Sequence, residues 1–260
     1  MIEQEFISIL GKKICMVHVY PEVQSKNNIL FIGGFCQNKA GYFCMNIRMA
    51  KFLAEQGYSC VLFDYPGIGD SDGDLQDYSW NDYVSITRKI AKNQLTKAYD
   101  VIIGFGFGAN IATQIDTKEI IRIVGVSNWI DKYPLLPASM KCKDEEIALY
   151  DLFEDPFSNN LLRLLGGNKH YVRGFIAKTV LFREVAADPS FYDLIGDRKA
   201  LLVYGEHDIT QKVKKHIKLV EELVLRGVTL EVIQGADRFF SFADWQDEVF
   251  EAIIRWLEHI

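Results

Sequence analysis

The chain has 260 residues, 49% of them hydrophobic, enough to bury a sizeable core in one large α/β domain or two small ones. A net charge of −6 without basic clustering argues against a nucleic-acid surface. No apolar run reaches the roughly 18 residues that a membrane-crossing helix needs. The opening MIEQEFISIL has no basic stretch ahead of an apolar core and is not expected to be a signal peptide. The cysteines Cys15, Cys36, Cys44, Cys60 and Cys142 are odd in number and include no C-x-x-C pair. They read as reduced thiols in a cytoplasmic protein, with no metal site among them.

In chain order, residues 5–10 and 13–20 are expected to form a hairpin around Gly11-Lys12. ILFI at 29–32 is a short buried strand that ends at Gly33-Gly34. Met45, Ile47, Met49, Phe52 and Leu53 recur at helical spacing over 43–56, with Gly57 where a C-terminal cap belongs. SCVLF at 59–63 reads as a strand, and Ser79-x-x-Asp82 as a capping box opening a helix over about 80–95. VIIG at 101–104 is a strand running into the turn Gly104-x-Gly106-x-Gly108 and a helix from about 107. Strands at 120–126, 201–205 and 229–233 follow, with a helix at about 211–226 closed by Gly227 and a last amphipathic helix at 242–258.

Apolar strands alternating with helices imply a parallel sheet covered on both faces. Residues 128–196 break the rhythm, with little strand character and helical stretches expected at 146–154, 159–165 and 170–185. They read as an inserted helical cap, leaving 1–127 and 197–260 as the core. Arg163, His170, Arg173 and Lys178 lie there among Leu161, Leu162, Leu164, Leu165 and Phe175. That mixture suits a lid over an acyl or carboxylate ligand; it equally suits an amphipathic lid with a solvated outer face.

The glycine turn at 104–108 lacks the G-x-G-x-x-G spacing and follows several earlier strands, which excludes a dinucleotide fingerprint. Asp64, Asp70, Ser71 and Asp72 form a polar loop with Gly67 and Gly69, read as structural rather than metal-binding.

IGGF at 32–35, MAKFLAEQGYSCVLFDYPGIGDSDG at 49–73, Gly104-x-Gly106-x-Gly108, YGEHD at 204–208 and GADRFFS at 235–241 fall in one order along the chain. With this set the chain resembles the α/β-hydrolase superfamily over nearly its whole length. The kinship is to serine-aminopeptidase-like and lipase-like members, with a general likeness to hydrolases associated with exosortase systems. The resemblance implies the α/β-hydrolase fold, a mostly parallel central sheet with helices on both faces and an inserted helical cap.

It also implies that Gly106 stands at the nucleophile position, Asp208 at the retained acid and Arg238 at the histidine. Gly33 replaces the histidine on the oxyanion side. Gly106 supplies no attacking oxygen, and Arg238 stays protonated and cannot act as a base. An Arg238–Asp208 ion pair tying the last loop to the sheet is expected, against an Arg238 that points to solvent. Gly34, Phe35, Cys36, Phe107 and His207 are the candidate ligand-binding residues, with backbone N–H groups near Phe35 and Phe107 at the old oxyanion position. Cys36 is read first as a packing residue and His207 as a loop residue beside the acid.

Two functional readings follow. One is a pseudo-hydrolase that binds a small acyl or carboxylate ligand, or a partner protein, through the former cleft. The alternative is an enzyme using the scaffold without serine, through Asp208, backbone donors or Cys36. A conventional esterase or acyltransferase whose serine was replaced must also account for Arg238. No cofactor and no metal is implied.

Overall fold

A computed structural model describes residues 1–95, 100–115, 122–128, 169–172, 175–178, 184–185, 187, 189, 191–196, 198–208 and 217–259. Among them, strands β1 (Ile2–Ile9), β2 (Lys12–Val19), β3 (Asn28–Ile32), β4 (Ser59–Phe63), β5 (Val101–Phe105), β6 (Arg122–Val126), β9 (Ala200–His207) and β10 (Thr229–Asp237) build an eight-stranded sheet. Its order is β1-β2-β4-β3-β5-β6-β9-β10. The β1–β2 and β2–β4 pairs are antiparallel, and every pair from β4 through β10 is parallel. The helices are α1 (Met45–Glu55), α2 (Trp80–Gln94), α3 (Phe107–Ala112), α4 (Ile217–Leu225) and α5 (Ala243–Glu258).

The strand side chains alternate between two cores, as the two-residue period of a strand dictates. Leu30, Ile32, Ile102, Leu202 and Tyr204 face α2, α3 and α4, with Trp80, Ile86, Ile111 and Leu223. Ile29, Phe31, Val101, Ile103, Leu201 and Val203 face α1 and α5, with Met49, Leu53, Val249 and Ile253. This is the sheet covered on both faces that the strand–helix alternation predicts.

The hairpin turn falls one residue earlier than expected, at Leu10-Gly11. Both residues have positive φ (52° and 76°), and Ile9 pairs with Lys12 across a two-residue loop of the kind that matches strand twist. Gly57 closes α1 as expected: its N–H donates to the Ala54 carbonyl and the Tyr58 N–H to that of Leu53. The Ser79–Asp82 capping box is present in both directions and opens α2. β10 runs on to Asp237, through a register shift after Ile233, so Gly235–Asp237 are strand rather than loop.

The helix expected over 170–185 is corrected over its first part; among the described residues of that span only 184 and 185 are helical. Lys169–Val172 (β7) and Phe175–Lys178 (β8) pair antiparallel as a separate two-stranded sheet. The sequence explains it: Tyr171, Val172, Phe175 and Ile176 are strand formers, and Gly174 is a hairpin signal rather than a helix residue. β8 lies beside the 3₁₀ turn Leu75–Asp77, on the loop that follows β4. The expected helices at 146–154 and 159–165, most of the 128–196 segment, Arg163, Arg173 and Cys142 lie outside the described residues.

Candidate functional site

The candidate positions lie at or just past the carboxyl ends of parallel strands, where open α/β sheets place their ligands. β5, buried along its whole length, delivers the chain to Gly106, whose N–H donates to the Val126 carbonyl at 2.8 Å before α3 begins. Gly106 has φ 49° and ψ −108°. The flanking glycines are demanded by contact. A Cβ on Gly104 would sit 2.4 Å from the Ala109 backbone, and one on Gly108 2.3 Å from the Ile32 carbonyl oxygen. Gly106 differs. A Cβ there would find its nearest heavy atoms at ordinary distance, Arg238 Nη2 at 3.6 Å and Ser127 O at 3.8 Å. Space for a side chain exists, and only the backbone angle opposes one.

Asp208 follows β9 with its side chain fully buried, and Arg238 follows β10 with a side chain 17% exposed. Arg238 Nη1 lies 3.6 Å from Asp208 Oδ1, an ion pair slightly longer than a hydrogen bond. Gly205 allows this approach. A Cβ there would lie 2.3 Å from the Asp237 carbonyl oxygen and 2.5 Å from that of Ala236, so the end of β10 runs directly against β9. Three further contacts hold the Arg238 loop. Ser127 Oγ donates to the Arg238 carbonyl at 2.9 Å, and the Asp237 carboxylate accepts from the N–H groups of Phe239 (2.8 Å) and Ser241 (3.3 Å). Gly106, Asp208 and Arg238 therefore converge.

Tyr204 and Asn128 sit beneath the pair; the sequence reading did not single them out. The buried Tyr204 hydroxyl donates to Asn128 Oδ1 at 2.6 Å. Burial first, then the Asp208 charge, push the Tyr204 phenol well above its ordinary range, while Arg238 pulls it down.

His207 is exposed, as is Glu206 before it, whereas Asp208, past the strand end with its N–H donating to the Gly205 carbonyl at 3.0 Å, is buried. His207 does not join the convergence. In the turn after β3, the Gly34 N–H donates to Gln37 Oε1 at 2.7 Å, and the Gln37 N–H returns to the Gly34 carbonyl at 3.1 Å. One backbone donor of this turn is thus engaged by a buried glutamine. Phe35 packs on Phe107 (ring centroids 5.3 Å apart), and Phe107 meets Trp80 edge-on at 4.4 Å. Cys36 has φ 57° and is buried in the α2-side core.

Lys39 is the residue that sequence reasoning missed. Its ammonium lies 2.7 Å from Asp64 Oδ2 and 2.5 Å from Asp70 Oδ2, and its N–H donates to Asp64 Oδ1 at 2.6 Å. Burial opposes the charge, but these carboxylates outweigh it and drive the Lys39 pKa upward. Asp64 also accepts from the Asp70 N–H at 2.9 Å. Cys15, Asp64 and Asp70 present ligand-type atoms within 4.8 Å of one another, yet the cation held by the two carboxylates is the lysine itself. Lys39 thereby ties the turn after β3 to the loop after β4. No spacing rule links position 39 to position 64.

Comparison with known proteins places this geometry in a family. The sequence model of the alpha/beta hydrolase family matches residues 29–252. The mitochondrial palmitoyl-protein thioesterase ABHD10 of Rattus norvegicus is 28% identical over 134 residues, covering 47% of this chain and 43% of that protein. The Bos taurus protein is 26% identical over 133 residues, covering 48% and 41%. The chain thus spans less than half the length of the curated relatives it matches. Among solved structures, mouse alpha/beta hydrolase domain-containing protein 10 superposes with a TM-score of 0.69 at 12% identity, covering 99% of each chain. Est1E from Butyrivibrio proteoclasticus, solved with ferulic acid, gives 0.72 at 16% identity, covering 98% of each.

Proposed function

The chain belongs to the alpha/beta hydrolase family, and from that premise we propose that it is a member that binds an acyl or carboxylate compound without cleaving it. The observation that carries this reading is the convergence of Gly106, Arg238 and Asp208 at the ends of β5, β10 and β9. By the resemblance these are the positions of nucleophile, base and acid. A serine hydrolase needs an oxygen that attacks, a base that takes its proton and an acid that orients the base. Glycine has no oxygen, and a guanidinium has no proton-accepting lone pair near neutral pH. Loss of nucleophile or base alone lowers turnover by roughly 10⁶-fold in a serine protease. Asp208 therefore anchors a cation here instead of orienting an imidazole.

The acyl part of the proposal draws on the relatives, which are palmitoyl-protein thioesterases by name. The Cys36 route to catalysis is disfavoured by that residue's burial in the α2-side core. A cytoplasmic setting belongs to the same proposal, supported by buried Cys15 and Cys60 and the absence of a disulfide among the described residues.

The test is a fluorophosphonate probe on the native protein beside the double variant Gly106→Ser/Arg238→His. The native protein is expected to remain unlabelled. Labelling of the double variant would assign the lost chemistry to those two positions. Covalent labelling of the native protein at any residue of this cleft would refute the proposal.

A further inference from the structure

Far from the cleft, the sheet leaves one long edge open. β1 ends the strand order, and among the described residues nothing pairs with its outer side. It runs for eight residues without proline, lysine or a register shift, the devices that ordinarily blunt such an edge. Met1 and Tyr20 exchange both backbone hydrogen bonds, at 3.0 and 2.9 Å, so the odd-numbered residues of β1 are the ones bonded to β2 along the ladder. The N–H and C=O groups of Ile2, Gln4, Phe6 and Ser8 therefore point outward. Ile2 (51% exposed), Phe6 (49%) and, in the turn that follows, Leu10 (54%) recur along the same edge.

We propose that a second copy of this chain adds its own β1 here, antiparallel about a two-fold axis, so that the two sheets continue as one. An isologous contact sets the strand against itself, and its charges decide where the axis falls. An axis at Glu3 or Glu5 sets that carboxylate directly against its own copy, and an axis at Gln4 sets Glu3 against Glu5. Like charges directly opposite one another oppose pairing. An axis at Phe6 avoids this. It sets Phe6 against Phe6, Gln4 against Ser8 and Ile2 beside Leu10, while Glu3 and Glu5 fall opposite Ile9 and Ile7. In this register the outward backbone groups of Gln4, Phe6 and Ser8 are all bonded across the axis, and a paired aromatic is added at its centre. An axis further along, at Ile7, also separates the carboxylates but leaves Gln4 opposite the turn. Glu5 is held back on its own sheet by His18 Nε2 at 2.7 Å. The two glutamates that guard this edge against other strands thus select one register of self-pairing.

The experiment is sedimentation equilibrium of the native chain at micromolar concentration. The expected mass is twice the single-chain 29.8 kDa. Phe6→Lys, which sets two like charges together at the axis, is expected to return the mass to that of one chain. Gln4→Pro, which removes an outward N–H that the β1–β2 ladder does not use, is expected to do the same. Far-UV circular dichroism reports whether each variant is folded, and the two act through different chemistry, so misfolding of one leaves the other to decide. The register is read by cross-linking in a Cys44→Ser background, since Cys44 is the exposed cysteine among the described residues. Phe6→Cys is expected to form a disulfide with its own copy on mild oxidation, because residues bonded across an antiparallel pair lie about 5.5 Å apart at Cα, within disulfide reach. Gln4→Cys is expected to form none. A native chain that sediments as a monomer would overturn the proposal, as would a dimer that both Phe6→Lys and Gln4→Pro leave intact. Cross-linking of Gln4→Cys in place of Phe6→Cys would overturn the register.

Discussion

At the scale of single residues, the three glycines of one turn separate by cause. Gly104 and Gly108 are held by contact, since any Cβ there overlaps backbone at 2.4 Å or less. Gly106 is held only by its positive φ. Gly104→Ala and Gly108→Ala are therefore expected to destabilise by about 3 kcal/mol or more, the upper range for overpacking a core that cannot relax. Gly106→Ala should cost only the strain of that backbone region, about 1–3 kcal/mol. Urea melts of the three variants, ranked by midpoint, check the order; equal losses would contradict it. Arg238→Ala removes the cation beside a fully buried carboxylate and should cost about 3 kcal/mol, as for other broken buried pairs, with Asp208→Asn in the same background restoring part of it. Asp208 and Arg238 were legible only through the family resemblance that YGEHD and GADRFFS carry. Lys39 was not, because its partners lie 25 and 31 residues away and meet it only through the crossing of two loops.

At the scale of elements, local chemistry was read well and pairing less so. The Ser79 capping box, the Gly57 close of α1 and the bounds of β4 were legible because each depends on residues within one turn or one strand. Ser79→Ala is expected to cost about 1 kcal/mol, seen as a lowered thermal midpoint with an unchanged fold. Helical spacing over 170–185 does not mark the β7–β8 pair, because Lys169–Val172 and Phe175–Lys178 are each four residues long, too short to separate the two periods. The Lys39 tie between the loops after β3 and β4 yields a pH dependence. Its pKa is raised in the folded chain above the ordinary 10.5. The bridge's contribution is therefore complete below about pH 10.5 and is lost as the pH rises through the higher folded value. The native protein should lose stability through that alkaline window more steeply than Lys39→Met, which should be less stable at pH 7. Parallel alkaline limbs for the two proteins in urea melts would show that the bridge does not contribute.

At the scale of the whole molecule, strand–helix alternation predicted a two-faced parallel sheet, and motif order predicted the family. Neither disclosed the strand order, in which β4 lies between β2 and β3 and the antiparallel β1–β2 hairpin forms one edge. That order is what delivers β5, β9 and β10 to one rim and gathers residues 106, 208 and 238 there. On the proposed reading, the hydrogen atom of Gly106 and the cation of Arg238 stand at the nucleophile and base positions of an acyl-transfer scaffold. Steady-state hydrolysis of a palmitoyl thioester, followed by free-thiol release over a range of substrate concentrations, tests this most directly. The account predicts that the native protein shows no saturable release above the buffer rate. Saturable release by the native protein that vanished in Asp208→Asn would contradict it.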